Sequence, residues 1–224
     1  MFHVKQLEPG TILTRHDFQT QTGVSGQVLA RLETYGELLE KWQKTVNLVG
    51  GATLPDLWRR HMLDSAQLFP LLPKGAKNVV DLGSGAGFPG LVLAIMAQDS
   101  PSGLTVHLIE SDQRKCAFLA EVNRVTGAGA KIHRERIESF SGPKADAITA
   151  RACAPLEKLL TYTSMILNAK GTALFLKGQK AEEELTRAGK KWSISTERIP
   201  SRSDPSGTIL RLQRIALHHD QSGP

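Results

Sequence analysis

The twelve residues Val79–Gly90, VVDLGSGAGFPG, constrain this chain more than any other stretch. Val79, Val80 and Leu82 form a short apolar strand that runs into a glycine-rich turn. Phe88-Pro89-Gly90 then leads to the apolar run Leu91–Met96, which reads as a helix. Strand, glycine turn and helix in that order make a nucleotide-type binding loop, because glycine lets the backbone turn sharply and lets a ligand approach closely. Two glycine registers compete. Gly85, Gly87 and Gly90 fit G-x-G-x-x-G, the dinucleotide pattern, which is weak by itself. Asp81, Gly83, Gly85 and Gly87 fit acid-x-G-x-G-x-G. An acid at the strand end repels a pyrophosphate and favours a ligand with an ammonium group. S-adenosylmethionine (SAM) has an ammonium, a sulfonium and no phosphate, so the second register is preferred.

A chain of 224 residues has room for one large α/β domain with a small appended segment. Charged residues punctuate the first twenty positions, which argues against a signal peptide, and no run approaches the roughly 20 apolar residues of a membrane span. Cys116 and Cys153 follow no metal or redox spacing and read as reduced thiols, so the expected setting is the cytoplasm, with no metal and no membrane. The net charge of +6 is compatible with a nucleic-acid partner. Between Lys41 and Lys77, six Lys/Arg face two Asp/Glu, which makes Arg59 and Arg60 candidates for RNA contact. Lys177 and Lys180 are further candidates at the rim of the site.

Met1 to about Gly23 shows little periodicity. From Ser25, a ready N-cap, Val28, Leu32, Tyr35, Leu39, Trp42 and Val46 recur at helical spacing until Asn47 and Gly50-Gly51. A second helix is expected from Thr53, with Thr53 as its cap and Pro55 in its first turn. It carries Arg59-Arg60-His61-Met62-Leu63-Asp64-Ser65, where His61 and Asp64 either position a substrate or satisfy each other at the joint with the main domain. Strand and helix patterns alternate after the glycine loop: strand Leu104–Ile109, helix Gln113–Thr126, strand Ala130–His133, strand Ala147–Ala150, helix Pro155–Leu167, strand Thr172–Leu176 and helix Ala181–Gly189. Ile194–Pro200 and Thr208–Ala216 can pair antiparallel across Pro205-Ser206-Gly207. The alternation implies a mostly parallel, Rossmann-like sheet with helices on both faces. Residues 1–73 are expected as a helical cap, 74–217 as the SAM-binding domain and 218–224 as a frayed tail.

In such a sheet the ligand sits beyond the carboxyl ends of the strands. There the first strand brings Gly83, Gly85 and Gly87, and the second brings Glu110, whose carboxylate can accept from both hydroxyls of a ribose. The third brings Ile137 and Glu138, suited to flank an adenine and meet its amino group, and the fourth ends at Arg151. SAM and NAD share the ribose demand, so Glu110 does not separate them. An NAD-dependent oxidoreductase and a non-catalytic RNA-binding module are the competing readings.

Asn47-Leu48, Arg60-His61-Met62-Leu63-Asp64-Ser65, Asp81–Gly90, Arg136-Ile137-Glu138 and Ala150-Arg151-Ala152 together resemble the RsmG family, also called glucose-inhibited division protein B. The resemblance runs from about Tyr35 to Leu185. It implies a class I SAM-dependent methyltransferase fold, SAM as donor, and a guanine N7 of 16S rRNA, free or in the small ribosomal subunit, as acceptor. Carried over by motif, the cofactor contacts fall on Gly83, Phe88, Ile137, Glu138 and Arg151. His61, Asp64 and Arg151 are candidates for substrate positioning, with no catalytic base named, because N7 has a lone pair outside the aromatic system and loses no proton. One departure stands out: relatives often carry threonine after Asn-Leu, where this chain has Val49. The protein is expected to act as a monomer.

Overall fold

The computed structural model describes residues 12–100 and 103–218. Two helices open it. The first, α1 (Arg15–Thr22), was not expected from periodicity, since Phe18 is its one buried residue. Its signal lies in its ends. Thr14 Oγ1 accepts from Asp17 N–H while the Asp17 carboxylate accepts from Thr14 N–H, and Gly23 closes the helix in the left-handed conformation. The second, α2 (Gly26–Gln43), starts at the expected cap, where Ser25 Oγ accepts from Val28 N–H at 3.1 Å. It buries Val28, Leu32, Tyr35 and Leu39, and Val46 reaches the core from the turn beyond it.

The expected regular helix from Thr53 is instead a series of short pieces. A 3-10 turn (Gly51–Asp56) is followed by a π-helical segment (Trp58–Leu63), a single α turn, α3 (Asp64–Ala66), and a 3-10 turn (Phe69–Leu71). Thr53 does not cap it: its hydroxyl donates to Gly50 O at 2.7 Å. The wide π turn lets three successive residues, His61, Met62 and Leu63, all be buried, which a narrow apolar stripe of α period would not.

The main domain alternates strands and helices: β1 (Asn78–Leu82), α4 (Gly90–Ala97), β2 (Thr105–Glu110), α5 (Gln113–Thr126), β3 (Lys131–Arg134), β4 (Ala145–Arg151), α6 (Leu156–Ile166), β5 (Leu167–Lys177), α7 (Ala181–Ala188), β6 (Trp192–Pro200) and β7 (Thr208–Leu217). Its seven-stranded sheet has the order β3-β2-β1-β4-β5-β7-β6. The strands β1 to β5 are parallel, and β7 runs antiparallel between β5 and β6, as the sequence implied. His218, placed in the expected tail, is anchored: its N–H donates to Lys191 O at 2.9 Å, continuing the β6–β7 edge. The rest of that tail lies outside the described residues.

Alternate strand residues serve two cores. Val79, Val106, Leu108, Ala147 and Leu174 pack with α4, α5 and the N-terminal helices, whereas Val80, Leu82, Ile109, Ile148 and Phe175 pack beneath α6. Burial on both faces explains why these strands read as unbroken apolar runs. The order reverses between β1 and β4, so a crevice opens there at the carboxyl ends of the strands.

Candidate active site

The glycine loop leaves β1 with Gly83, Gly85 and Gly87 all at positive φ, 62°, 57° and 93°, and Gly90 outside that region. This alternation is the acid-x-G-x-G-x-G register. At Gly83 a Cβ would also stand 2.4 Å from Cys153 Sγ, so glycine is required there by space as well as by conformation. Gly87 packs inward, where a Cβ would meet Leu91 and the Tyr35 hydroxyl at 2.6 and 2.8 Å. That hydroxyl donates to Ala86 O, so α2 clamps the loop from above.

Asp81 departs from its expected part. Its side chain is 0% exposed and Thr149 Oγ1 donates to its Oδ1 at 2.7 Å. The carboxylate therefore supports the floor of the site and presents no charge to a ligand. Burial raises its pKa to about 6, a shift that the hydrogen bond from Thr149 only partly opposes. Glu110, half-buried, takes the position that borders the cavity. Its Oε2 accepts from Gly85 N–H at 2.9 Å and its Oε1 from Asp112 N–H at 2.8 Å, which leaves each oxygen a further acceptor site.

A cavity of about 1000 Å³ opens over this loop, lined by Gly83, Gly85, Phe88, Glu110 and Arg151, and by His61, Asp64 and Arg60 from the cap side. A second cavity of about 160 Å³ adjoins it, sharing Gly83, Glu110, Cys153 and Ala154. Ile137 and Glu138 line only the smaller one, where Tyr162 donates its hydroxyl proton to Glu138 Oε1 at 2.6 Å. The eight expected cofactor residues thus divide between two joined spaces, and Gly87 alone among them borders neither.

Arg151 is the hub of the cap side. Its Nη2 donates to His61 Nδ1 at 2.8 Å, and its Nη1 donates to Arg60 O at 3.0 Å and faces Asp64 Oδ2 at 3.4 Å. Its guanidinium lies 4.9 Å from the centroid of the Phe88 ring, which also stacks on Tyr35 and packs against His61. Because guanidinium only donates, His61 Nδ1 must be the unprotonated nitrogen. His61 Nε2–H then donates to Thr53 Oγ1 at 2.7 Å, and the Thr53 hydroxyl donates in turn to Gly50 O. Burial first, then the charges of Arg151 and Arg60, hold the His61 pKa at about 3. His61 and Asp64 do not bond to each other; Arg151 separates them. Ala152, the next residue, has φ of 49°, a strained conformation for a side-chain-bearing residue at the edge of the cavity.

The basic candidates fare differently. Arg59 Nε pairs with Asp56 at 2.6 Å and does not reach the cavity, whereas Arg60 lines it. Lys177 is not a free cation at the rim: its side chain is 10% exposed, and its ammonium donates to Glu184 Oε2 at 2.8 Å and Ala154 O at 3.0 Å. Lys180 is exposed just ahead of α7. Sequence reasoning passed over Lys115, Ser203 and Asp204, which also line the larger cavity. For Asp204 the only local sign was a turn; for Lys115 there was none. Val49, the departure at the Asn-Leu motif, acts through its backbone, since Gln43 Oε1 accepts from Leu48 and Val49 N–H, both at 3.0 Å, and Gln43 Nε2 donates to Val49 O at 2.8 Å.

The family model GidB, rRNA small subunit methyltransferase G, matches residues 28–206. The chain belongs to this family. Its rRNA small subunit methyltransferase G relatives include the protein of Rhodospirillum centenum, 54% identical over 207 residues that cover 92% of this chain and 94% of that one. Another, from Paramagnetospirillum magneticum, is 53% identical over 197 residues, covering 88% and 94%. Among solved structures, an O-methyltransferase from Bacillus cereus in complex with SAH superposes with a TM-score of 0.54 at 12% identity, over 80% of this chain and 90% of that one. That likeness concerns the fold: the seven-stranded sheet and its helices form the class I SAM-dependent methyltransferase architecture. Among the described residues no group of three or more His, Cys, Asp or Glu side chains is placed to hold a metal ion, and no helix is long and apolar enough to cross a membrane.

Proposed function

We propose that this protein transfers a methyl group from SAM to N7 of a guanine in 16S rRNA. The observation that carries the reading is the Gly85 N–H to Glu110 contact at the crevice of the sheet, in a chain of the rRNA small subunit methyltransferase G family. The donor set fits SAM: Glu110 suits the ribose hydroxyls, and Ile137 with Glu138 suits an adenine in the smaller cavity. Gly83, Gly85, Phe88 and Arg151 would border the rest of the cofactor, with Gly87 shaping the loop from beneath. The larger cavity lies at the top of the range of about 300–1,000 Å³ for small-molecule sites, which leaves space for a base beside the cofactor.

Bound there, SAM supplies an electrophilic methyl on its sulfonium. What the chain contributes is position and a dry site. His61 stays neutral and spends its lone pair on Arg151, so it is not a base in waiting. N7 requires none, since its lone pair is already free. His61, Asp64 and Arg151 instead fix the joint between the helical cap, taken as residues 1–73, and the cofactor domain, 74–217. Lys180 and the N–H groups that Arg60 does not spend on Asp204 remain available to RNA; Arg59 and Lys177 are held by carboxylates. The reading places the protein in the cytoplasm, as a monomer acting on 16S rRNA or the small subunit.

Methylation at N7 leaves a fixed positive charge on the base. After incubation with SAM, borohydride reduction and aniline should cleave the RNA at one guanine. Cleavage at many guanines, or methyl label recovered in adenosine or cytidine, would overturn the assignment.

A further inference from the structure

Arg60 and Asp204 stand 144 residues apart in sequence, yet Arg60 Nη1 donates to Asp204 Oδ2 at 2.8 Å where the π-helical segment meets the β6–β7 loop. Both line the larger cavity, with side chains 43% and 32% exposed. Neither hangs free. Asp204 Oδ1 accepts from Ser206 N–H at 2.9 Å and Ser206 Oγ at 2.8 Å. The loop is tied to the cap where Gln67 Oε1 accepts from Arg202 N–H at 2.8 Å, and the Arg60 carbonyl accepts from Arg151. Of the acceptor sites on the Asp204 carboxylate, about four in all, three are occupied, leaving one on Oδ2; Arg60 keeps unused N–H groups. The other cavity carboxylates serve other partners: Asp64 meets Arg151, Ser203 and Gln67, Glu184 holds Lys177 and Leu156 N–H, and Glu110, whose remaining acceptor sites are assigned to the ribose, holds the glycine loop.

We infer that the Arg60–Asp204 pair reads the Watson–Crick edge of the acceptor base, Arg60 donating to guanine O6 and Asp204 accepting from guanine N1–H. This rests on the proposed guanine methylation and adds what selects the base. The pair shows a donor beside an acceptor, the complement of O6 beside N1–H. Adenine presents an amino donor and a bare N1 in those places, so both contacts turn repulsive. N7 lies on the far side of O6 and stays uncovered. Unpaired RNA bases are commonly read at this edge. Partial burial would raise the Asp204 carboxyl, but the hydrogen bonds from Ser206 and Arg60 outweigh it and hold it below the usual aspartate value, so at neutral pH it only accepts.

The test places guanine, inosine or 2-aminopurine at the acceptor position of small-subunit RNA and measures kcat/KM for methyl transfer from SAM. Inosine keeps O6 and N1–H and should match guanine within about twofold. 2-Aminopurine lacks both and should fall by about 10- to 100-fold in the wild type, the span of one good base contact. Asp204→Asn keeps an acceptor for Ser206 and turns an N–H toward the base. It should shrink the guanine-to-2-aminopurine ratio by about 10-fold, a ratio of ratios from which the intrinsic reactivity of N7 cancels. Arg60→Gln, which keeps the Ser206 bonds to Asp204 and the Gln67 tie of the loop, should shrink it as well. SAM affinity measured by calorimetry verifies that each variant is folded. An unchanged ratio in either folded variant overturns the inference. If wild-type protein labels no guanine at all, the proposed reaction fails first, a result distinct from guanine methylation with unaltered ratios.

Discussion

His61 and Asp81 are both buried and titratable, and they respond to pH in opposite senses. The His61 pKa falls from 6.5 to about 3 on folding, so its stabilising contribution is complete above 6.5 and is lost as pH drops toward 3. At pH 5 the loss should be about 2 kcal/mol, from 1.4 kcal/mol per unit. The Asp81 pKa rises from 3.8 to about 6, so its contribution is complete below 3.8 and is lost as pH rises through 6, amounting to about 3 kcal/mol. Urea unfolding of His61→Asn between pH 4 and 7 should therefore show a flatter acid limb than the wild type. Asp81→Asn should gain relative stability as pH rises over the same interval. Parallel curves for either variant and the wild type would contradict the burial described for that residue. At Glu110 the structure adds to the ribose argument, because removing the carboxylate also frees Gly85 N–H and Asp112 N–H. Glu110→Ala should weaken SAM by roughly 1.5–3 kcal/mol, and Glu110→Gln, which keeps one acceptor oxygen, by less. Calorimetric titration that finds an unchanged dissociation constant in folded Glu110→Ala would remove this residue from the site.

At the scale of elements, the β6–β7 loop is held against the cap by few contacts, centred on Gln67. Gln67 Oε1 accepts from Arg202 N–H at 2.8 Å, and its Nε2 donates to Ser201 Oγ at 3.1 Å and to Asp64 O at 3.0 Å. Gln67→Met keeps the volume and abolishes these three bonds together with a fourth, from Nε2 to Asp64 Oδ1 at 3.2 Å. Leaving those groups without partners should cost about 1–3 kcal/mol of stability. Since Gln67 lines neither cavity, SAM affinity should hold within about twofold while kcat/KM for RNA falls. Equal losses in both would mean that the loop and the glycine turn move as one.

For the molecule as a whole, a net charge of +6 is spread over a surface where many cations are already paired. RNA affinity should fall steeply with salt, and each phosphate contact removed should lower the slope by about 0.7–0.9. Lys180→Ala should lower it by that amount. Arg59→Ala and Lys177→Met should leave the slope in place, because their charges are matched by Asp56 and Glu184. Lys177→Met should instead reduce stability, since Glu184 is then left partly buried without its cation. A filter-binding series in potassium chloride separates these outcomes.

What the sequence by itself determined about this protein was whatever depends on neighbours along the chain. Periodicity and caps set α2 and α5, the latter over the expected residues Gln113–Thr126, and apolar runs set the parallel strands. The glycine register was legible because left-handed backbone at 83, 85 and 87 is a local demand. Even α1 was written locally, in the Thr14 and Gly23 ends that periodicity overlooks. Tertiary structure alone decided where each charge goes. Asp81 turned under the loop to Thr149, 68 residues away, where it is 0% exposed and takes its hydrogen bond from a side chain of another strand. Arg151 reached back 90 residues to fix the tautomer of His61, and Lys177 folded inward onto Glu184. Arg60 met Asp204 only because a hairpin loop closed over the cap. A charged side chain carries no record of its partner in its own neighbourhood; Coulomb attraction and desolvation act through space, so its role is settled only when distant elements pack.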